Sequence, residues 1–282
     1  MANYYKVLLG ESEKILLYIT DSQDVVREGA DLHGCNPVAS AAIGRLLTGT
    51  KLMSLSQKED SARISVNING GGEIGKMISF ADQHGTLKIK VDNPNPELKI
   101  TENGKLDVGH AVGRDGFVSV TRDSDTIKPY TGQTKLVSGE IAEDLTYYYA
   151  DSEQQGCAFS LGVFVNSKAE VEYAGGMMIH VLPDCAEEDI DLVERAMQSA
   201  KPFTEYLKTG KNLQEMIEEI FGAVNHKIIE EGSYGYACDC SERRAKRAYD
   251  SIAKEERDEI IREDGRLIVH CDYCGKDYVF LE

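Results

Sequence analysis

The chain has 282 residues and a formal net charge of −17 at pH 7, with 48 Asp or Glu against 31 Lys or Arg. This length is enough for one large or two smaller domains, at ~100–200 residues per domain. The acidic excess disfavours nucleic acid as the main partner, because neutralising phosphates requires surplus Lys and Arg. The sequence contains no run of ~18 apolar residues and no signal-peptide pattern, so we expect a cytoplasmic protein without a membrane partner.

The first 183 residues are predicted to form a mixed α/β core domain with a largely antiparallel sheet. Apolar and polar residues alternate in short segments separated by Gly and Asn, which is typical of half-buried strands joined by hairpin turns. These segments cover residues 63–68, 87–91, 117–121 and 157–165. Asn36 followed by Pro37 is a favourable helix start, so we expect a helix over residues 38–55 that packs on the sheet.

Residues 184–231 are predicted to form a helical, acidic linker. Asp184 and Glu187 have the spacing of a capping box, and the helix that they would begin has an apolar stripe of Ile190, Val193 and Met197. Asn212 and Glu215 form a second such pair, ahead of a stripe that consists of Leu213, Met216, Ile217, Ile220, Phe221 and Val224. With 12 acidic against 5 basic residues, the segment repels itself, so its stability should depend on its neighbours. A permanently docked pair of amphipathic helices fits these residues equally well.

Residues 232–282 are predicted to form a small C-terminal zinc-binding domain. A segment of about 50 residues seldom has a sufficient apolar core, so a metal ion or disulfides are expected to hold it. Four thiols occur here in two close pairs, Cys238 with Cys240 and Cys271 with Cys274. Four thiolates suit tetrahedral Zn²⁺, and we expect one zinc ion per chain that contributes about 10–16 kcal/mol to folding. An iron–sulfur cluster, copper or two simple dithiols are the alternatives.

The CxC spacing of Cys238 and Cys240 also makes this cluster a candidate redox switch. A disulfide between them would close a very small ring, and such a bond is strained and easily reduced. Oxidation removes thiolate ligands, so zinc and its ordering free energy would be lost. The alternative is a constitutive, purely structural zinc ribbon that binds RNA or protein. RNA is disfavoured, because residues 232–282 have 12 acidic against 9 basic side chains.

No enzyme site is evident in the sequence. Gly70, Gly72 and Gly75 fit the pattern G-x-G-x-x-G, but the following residues alternate like a strand, so a hairpin turn is the better interpretation. Zinc-protease, Walker A and nucleophile-elbow motifs are absent from the sequence. We therefore do not expect an enzyme. The remaining cysteines are predicted to be small apolar side chains of the core: Cys35, Cys157 and Cys185.

The sequence resembles the redox-regulated bacterial holdase chaperones known as the thirty-three kilodalton heat-shock protein family. The resemblance covers essentially the whole chain. It is most specific at the two cysteine pairs and at Glu263-Asp264-Gly265 between them. It also includes the loop from Gly70 to Gly75 and residues 37–40, 44–45, 104–108, 129–132, 139–144, 152–154 and 174–176.

The resemblance implies a chaperone that oxidative stress activates. In the reduced, inactive protein the four cysteines would hold zinc. Oxidation would join Cys238 to Cys240 and Cys271 to Cys274, release zinc and loosen the helical linker. The resemblance further implies an oxidised homodimer, unfolded proteins as clients, and transfer of these clients to ATP-dependent foldases. A thiol–disulfide oxidoreductase is the remaining hypothesis.

Overall fold

The computed structural model describes residues 1–83, 85–126 and 128–281, and it divides into two compact units. The first unit is Met1–Tyr236 and the second is Ala237–Glu282. Helices and antiparallel sheets occur together, which confirms the predicted α+β class. Within the described ranges, no helix has both the length and the hydropathy needed to cross a bilayer. The further division of the first unit into a core and a linker stays a prediction.

Two five-stranded sheets, antiparallel throughout, organise the first unit. The strands are, in chain order, β1 (Ala2–Leu9), β2 (Ile15–Asp21), β3 (Arg63–Asn69), β4 (Met77–Asp82), β5 (Leu87–Val91), β6 (Phe117–Asp123), β7 (Tyr130–Lys135), β8 (Cys157–Val165), β9 (Val171–Val181) and β10 (His226–Tyr234). The first sheet has the strand order β10-β1-β2-β9-β8, and the second has the order β5-β4-β3-β6-β7. The four predicted alternating segments are confirmed as β3, β5, β6 and β8, and the alternating residues after Gly75 are confirmed as β4. Strands β1, β2, β7 and β10 were not predicted.

A buried helix lies between the two sheets. The helices of this unit are α1 (Gln23–His33), α2 (Pro37–Leu55), α3 (Val108–Val112), α4 (Ala142–Tyr148), α5 (Glu187–Ser199), α6 (Phe203–Lys208) and α7 (Leu213–Phe221). α2 contacts β8 and β9 of the first sheet and β3, β4 and β5 of the second. Every residue of α2 from Val38 to Ser54 except Arg45 is buried. Asn36 caps α2 by accepting a hydrogen bond from the Ala39 amide at 3.0 Å, as its position ahead of Pro37 predicts.

The glycine-rich segment after β3 is a hairpin connection, as predicted. It joins β3 to β4, which pair in antiparallel register from Arg63 opposite Asp82 to Ile68 opposite Met77. Gly75 has φ +69°, and a Cβ at Gly70 would lie 2.3 Å from the carbonyl oxygen of Gly113. The glycines therefore permit a tight turn and a close backbone approach.

Both faces of the first sheet are buried. On β2, Tyr18 belongs to the apolar cluster around α2, whereas Leu17 and Ile19 belong to a second cluster on the opposite face. Helices α5, α6 and α7 supply the other half of the second cluster, with α6 against β8 and β9 and α7 against β2. The residues that these helices and the turn after them bury are Val193, Phe203, Tyr206, Leu207, Leu213, Met216, Ile217, Ile220, Phe221 and Val224. The predicted apolar stripes thus cover one face of a sheet.

The two predicted helix starts in this region differ in outcome. At α7, Asn212 accepts a hydrogen bond from the Glu215 amide and donates its own amide to the Glu215 carboxylate, each at 2.9 Å, so this capping box is confirmed. The Asp184–Glu187 capping box is wrong, since α5 begins at Glu187 without a side-chain cap. Asp184 has φ +61°, a left-handed conformation outside the helix. Beyond α7, residues 226–231 of the predicted helical linker lie in strand β10, which pairs with β1.

The second unit has little apolar core. It contains α8 (Glu242–Ser251), α9 (Lys254–Asp264), β11 (Leu267–His270) and β12 (Asp277–Phe280), so the polar helical stretch at 241–263 is two helices rather than one. Among the described residues of this unit, only Ala245, Ile261 and Leu267 are buried. Tyr249 stacks on Phe280 with ring centres 4.6 Å apart. So small a core leaves room for a metal ion to contribute to folding.

Candidate metal centre

Four cysteine sulfurs converge in the second unit. The Sγ atoms of Cys238, Cys240, Cys271 and Cys274 all lie within 4.8 Å of one another. Cys238 is 3.7 Å from Cys271, and Cys240 is 3.4 Å from Cys274. In a tetrahedral site with metal–sulfur distances of about 2.3 Å, the sulfurs lie about 3.8 Å apart. The spacing in the structure fits that geometry, so these four thiols could hold a metal ion.

Short, hydrogen-bonded segments position the two cysteine pairs. Cys271 and Cys274 lie in the loop between β11 and β12, where the Cys271 amide donates to the Lys276 carbonyl at 3.0 Å. The Gly275 amide donates to the Cys271 carbonyl at 2.9 Å, and Gly275 itself has φ +70°. Cys238 and Cys240 directly precede α8, whose first turn is capped by Ser241. A hairpin loop and a helix start therefore bring the two pairs together.

The environment of the sulfurs favours a thiolate at neutral pH. Burial by itself would raise the pKa of Cys240, but hydrogen bonds outweigh it and lower this pKa to about 7. The first of these bonds comes from the Tyr278 hydroxyl, which lies 3.1 Å from the Cys240 sulfur. Burial raises the pKa of Cys274, and its bond with Cys240 acts in the same direction. Since a thiolate is the form that binds metals, Cys240 is the thiol best prepared to do so.

Tyr278 is a site residue that the sequence did not indicate. The sequence places it in an apolar and aromatic tail, and only the pairing of β11 with β12 turns its hydroxyl toward Cys240. His270, the neighbour of Cys271, is not in the four-sulfur group. Its Nδ1 atom lies 2.7 Å from the Asp277 carboxylate, across the same hairpin.

The other three cysteines lie in the first unit. Cys35 and Cys157 are partly buried against the cluster around α2, and Cys185 is partly buried against the second cluster. Burial raises the pKa of Cys35 to about 12, and burial also raises the pKa of Cys157. Cys35 and Cys157 are therefore held as neutral thiols at pH 7, in keeping with the apolar role predicted for them.

Comparison with known proteins identifies the family. The sequence model of the Hsp33 protein family matches residues 3–281. The "33 kDa chaperonin" of Clostridioides difficile (strain 630) is 38% identical over 282 residues, which cover 100% of this chain and 97% of that protein. The protein of the same name from Latilactobacillus sakei subsp. sakei (strain 23K) is 37% identical, with the same two coverages.

A solved structure has the same fold. The crystal structure of the 33 kDa chaperonin, heat shock protein 33 homolog, from Thermotoga maritima matches with a TM-score of 0.88 and 32% identity, over 99% of this chain and 95% of that one. These matches extend over both units. The resemblance seen in the sequence is confirmed: the chain belongs to the Hsp33 family of chaperones.

Proposed function

We propose that this protein is a redox-regulated holdase chaperone that is inactive while Cys238, Cys240, Cys271 and Cys274 bind one zinc ion. The observation that carries the proposal is the convergence of four thiols in a unit with three buried residues among those described. Such a unit depends on its ligands for its order. Oxidation of the cysteine ligands would therefore destabilise the folded unit as well as convert its thiolates to disulfides.

In the reduced state the four thiolates supply a closed, tetrahedral donor set. Zinc fits this set, because it takes four sulfur ligands and has no redox chemistry of its own. Bound in this way, it would contribute about 10–16 kcal/mol to the folding of the unit. The Tyr278 hydroxyl orients and stabilises the Cys240 thiolate from outside the donor set.

Peroxide is the oxidant that we propose. Four thiolates lose four electrons and form two disulfides, Cys238 with Cys240 and Cys271 with Cys274. Two molecules of hydrogen peroxide accept these electrons with four protons and become four molecules of water. Sulfur in a disulfide is a poor metal ligand, so the ion leaves and the unit loses order.

Loss of order in the C-terminal segment, 232–282, would be transmitted to the linker, 184–231, and not to the core, 1–183. Helices α5, α6 and α7 cover an apolar sheet face that includes Val7, Leu9, Ile15, Leu17, Ile19, Met177 and Ile179. Their release would expose that face and their own apolar stripes to unfolded client proteins. The 12 acidic residues of the linker would keep the opened protein in solution.

The wider activity follows from the same proposal. The oxidised protein is a homodimer that binds unfolded proteins without ATP and without catalysing a reaction, and it later passes them to ATP-dependent foldases. It acts in the cytoplasm, where cysteines are otherwise kept reduced and a disulfide can serve as a signal. RNA and membranes are not among its partners.

The test follows zinc, free thiols and holdase activity in one oxidation time course. The reduced protein should contain one zinc per chain and should not suppress aggregation of a thermally unfolded client. Peroxide with mild heat should oxidise four thiols and release the zinc. Suppression of client aggregation should begin at the same time. Cys271→Ser should lose zinc, whereas the matched Cys185→Ser should retain zinc and the switch. Equal suppression by reduced and oxidised protein would refute the switch, and salt-sensitive RNA binding by the reduced protein would favour the zinc-ribbon alternative.

A further inference from the structure

The outer strand of the first sheet has an edge that is only half covered. β8 lies at the end of that sheet, and among the described strands it pairs with β9 alone. Over the first half of β8, α4 closes the edge, because the Phe159 amide donates to the Thr146 hydroxyl at 3.0 Å. Over the second half, residues 160–165 line a groove of about 440 Å³. The groove therefore begins where the cover of α4 ends.

The main chain of β8 points into this groove. Successive residues of an antiparallel strand direct their N–H and C=O groups to opposite sides. Phe159 donates to α4, away from β9, so Leu161 and Val163 also point away from β9. On β9, the Ala174 carbonyl opposite Val163 accepts from the Ser22 amide at 2.9 Å, so it too is directed away from the space between these strands. Among the described residues, none bonds to the outward groups of Leu161 and Val163.

Two helices enclose β8 from above and below. α2 packs on one face of the strand, where a Cβ at Gly44 would lie 2.8 Å from the Val163 side chain. α6 packs on the other face, where a Cβ at Gly162 would lie 2.8 Å from the Thr204 side chain. Leu106 adds apolar surface to the lining. The free space therefore lies beside the strand, where a flat, extended chain fits.

The charged side chains at the groove are mostly paired with one another. Arg45 forms an ion pair with Glu140, and Lys208 forms one with Glu205 at 2.9 Å. Lys105 is the other charged side chain of the lining, and it is exposed. So small an excess of charge does not select a charged ligand. The unmet bonding capacity of the groove belongs to the main chain of β8.

We propose that this groove binds an extended segment of an unfolded client protein, which adds to β8 as a further strand of the sheet. Main-chain groups make the bonds in such an addition, so many different sequences can bind. At ~3.3 Å per residue, the open edge is about 17 Å long and takes about five residues. Phe203 lines the groove and also belongs to the cluster beneath the linker, so the groove is continuous with the face that would be exposed to clients. The identification of the occupant as a client rests on the proposed function.

A second copy of this chain fits the groove less well. A stable interface buries about 800 Å² on each partner, and a strip about 17 Å long would need a width of about 50 Å to supply that area. Antiparallel pairing of β8 with its own copy would also bring residues 166–170 of one chain onto Thr146 of the other, since the edge at Phe159 is already closed. A segment of an unfolded chain can turn away at that point.

Binding to the strand edge alone should be weak, which agrees with a reduced protein that is inactive. A segment of about five residues forms only a few hydrogen bonds with β8, and these must offset the loss of freedom on binding. Release of the linker would open the groove onto the neighbouring apolar face. The same segment could then contact both surfaces.

NMR titration of the reduced, zinc-loaded, full-length protein tests the proposal. The probe is an acetylated and amidated pentapeptide of alternating Thr and Val, residues that favour strands. It should shift the amide resonances of Leu161 and Val163 in a saturable manner. Exchange of these two amides with water should slow about tenfold or more, because each becomes hydrogen-bonded. The Gly162 amide, which faces β9, should keep its exchange rate.

Two modified peptides test whether main-chain bonds hold the probe. N-methylation of the two Val residues blocks one edge of the peptide and leaves the other edge free, so the affinity should be nearly unchanged. N-methylation of every residue blocks both edges. It should weaken binding about tenfold or more, which is a difference of about 1.4 kcal/mol.

A proline substitution tests the edge of the protein itself. Val163→Pro removes one outward N–H, and proline is tolerated on edge strands at such positions. Gln133→Pro is the matched control on β7, the open edge of the second sheet. Gln133 points away from β6, because Leu136, three residues later, donates to the Gly116 carbonyl on the β6 side. Val163→Pro should bind the pentapeptide about tenfold or more weakly, and Gln133→Pro should bind it as the unchanged protein does.

The proposal is overturned if the pentapeptide shows no saturable binding, or if the fully methylated peptide binds as tightly. Equal affinity of the two proline variants also overturns it, and the methylated peptides decide the question even if proline disturbs the fold. Exchange at Leu161 and Val163 that slows with protein concentration, without peptide, would assign the edge to a second copy instead. All of these measurements use the reduced protein, whereas the redox switch is tested by oxidation, so either can fail without the other.

Discussion

Replacing Asp189 with Asn should loosen the linker from the core. Asp189 lies in the first turn of α5, and its carboxylate accepts three hydrogen bonds from the loop between β1 and β2. The donors are the Glu11 amide at 3.0 Å, the Ser12 amide at 2.8 Å and the Ser12 hydroxyl at 2.5 Å. Only glycine fits at position 10 of this loop, since a Cβ there would lie 2.5 Å from the Asp189 carboxyl carbon. We call this set of contacts the Asp189 anchor.

The expected loss can be worked out from these bonds. Hydrogen bonds to a charged group contribute roughly 1.5–3 kcal/mol each. Asn keeps one acceptor oxygen, so it can serve either the Glu11 amide or the Ser12 pair, and its NH₂ group faces donors on the other side. One or two charged bonds are lost and the rest become neutral. We expect the free energy that docks α5 to fall by about 2–4 kcal/mol.

The anchor also has a pH dependence of known sign. The Ser12 hydroxyl, followed by the Ser12 and Glu11 amides, lowers the pKa of Asp189 below its ordinary value of 3.8. A lowered carboxyl pKa stabilises the folded state above the unfolded pKa, and this contribution is lost as the pH falls through the folded pKa. Acid should therefore weaken the docking of α5 below about pH 4, and Asp189→Asn should remove this part of the pH dependence.

Hydrogen exchange across residues 185–200 of the reduced protein is the direct assay. Asp189→Asn should speed exchange in α5, and it should give partial holdase activity without oxidant. Asp191→Asn is the matched control, since it makes the same charge change on the same helix at an exposed side chain. Identical exchange in the two variants would refute the argument that the Asp189 anchor holds the linker.

Two further substitutions test the metal centre and the linker. Tyr278→Phe removes the hydroxyl that donates to Cys240, so metal affinity measured by chelator competition should fall about 10–100-fold. Tyr249→Phe, which keeps its stacking on Phe280, should leave that affinity unchanged. Asn212→Ala removes the cap of α7 and should lower the free energy of unfolding by about 1 kcal/mol in urea titrations, whereas the exposed Gln214→Ala should not. A Tyr278→Phe protein with full affinity, or equal unfolding midpoints for the two α7 variants, would contradict these assignments.

Local signals in the sequence predicted local structure well. The Asn36-Pro37 pair and the Asn212–Glu215 pair each mark a helix start that the structure has, because a cap is decided by a few neighbouring residues. The two cysteine pairs predicted a four-sulfur cluster for a related reason. Few arrangements other than a metal site or disulfides bring four thiols together in a small domain.

Features that depend on contacts between residues far apart in the chain could not be predicted from such local signals. Asp184 and Glu187 have the same spacing as the true capping box, yet Asp184 lies outside the helix in a left-handed conformation. The carboxylate that accepts hydrogen bonds in the first turn of α5 is that of Asp189, and its partner Ser12 is 177 residues away in the chain. Strand β10 was missed for the same reason, since it is defined by its register with β1 at the other end of the first unit.

The metal centre and the linker are held by different interactions, and this makes their order of action testable. In the proposed switch the second unit depends on its sulfur ligands, since only three of its described residues are buried. The linker depends on an apolar face and on the Asp189 anchor, which involve no thiol of the cluster. If opening of the linker is the step that creates a client-binding surface, Asp189→Asn should gain holdase activity while it still contains zinc. Activity that appears only in zinc-free Asp189→Asn would instead place the client-binding surface in the C-terminal segment.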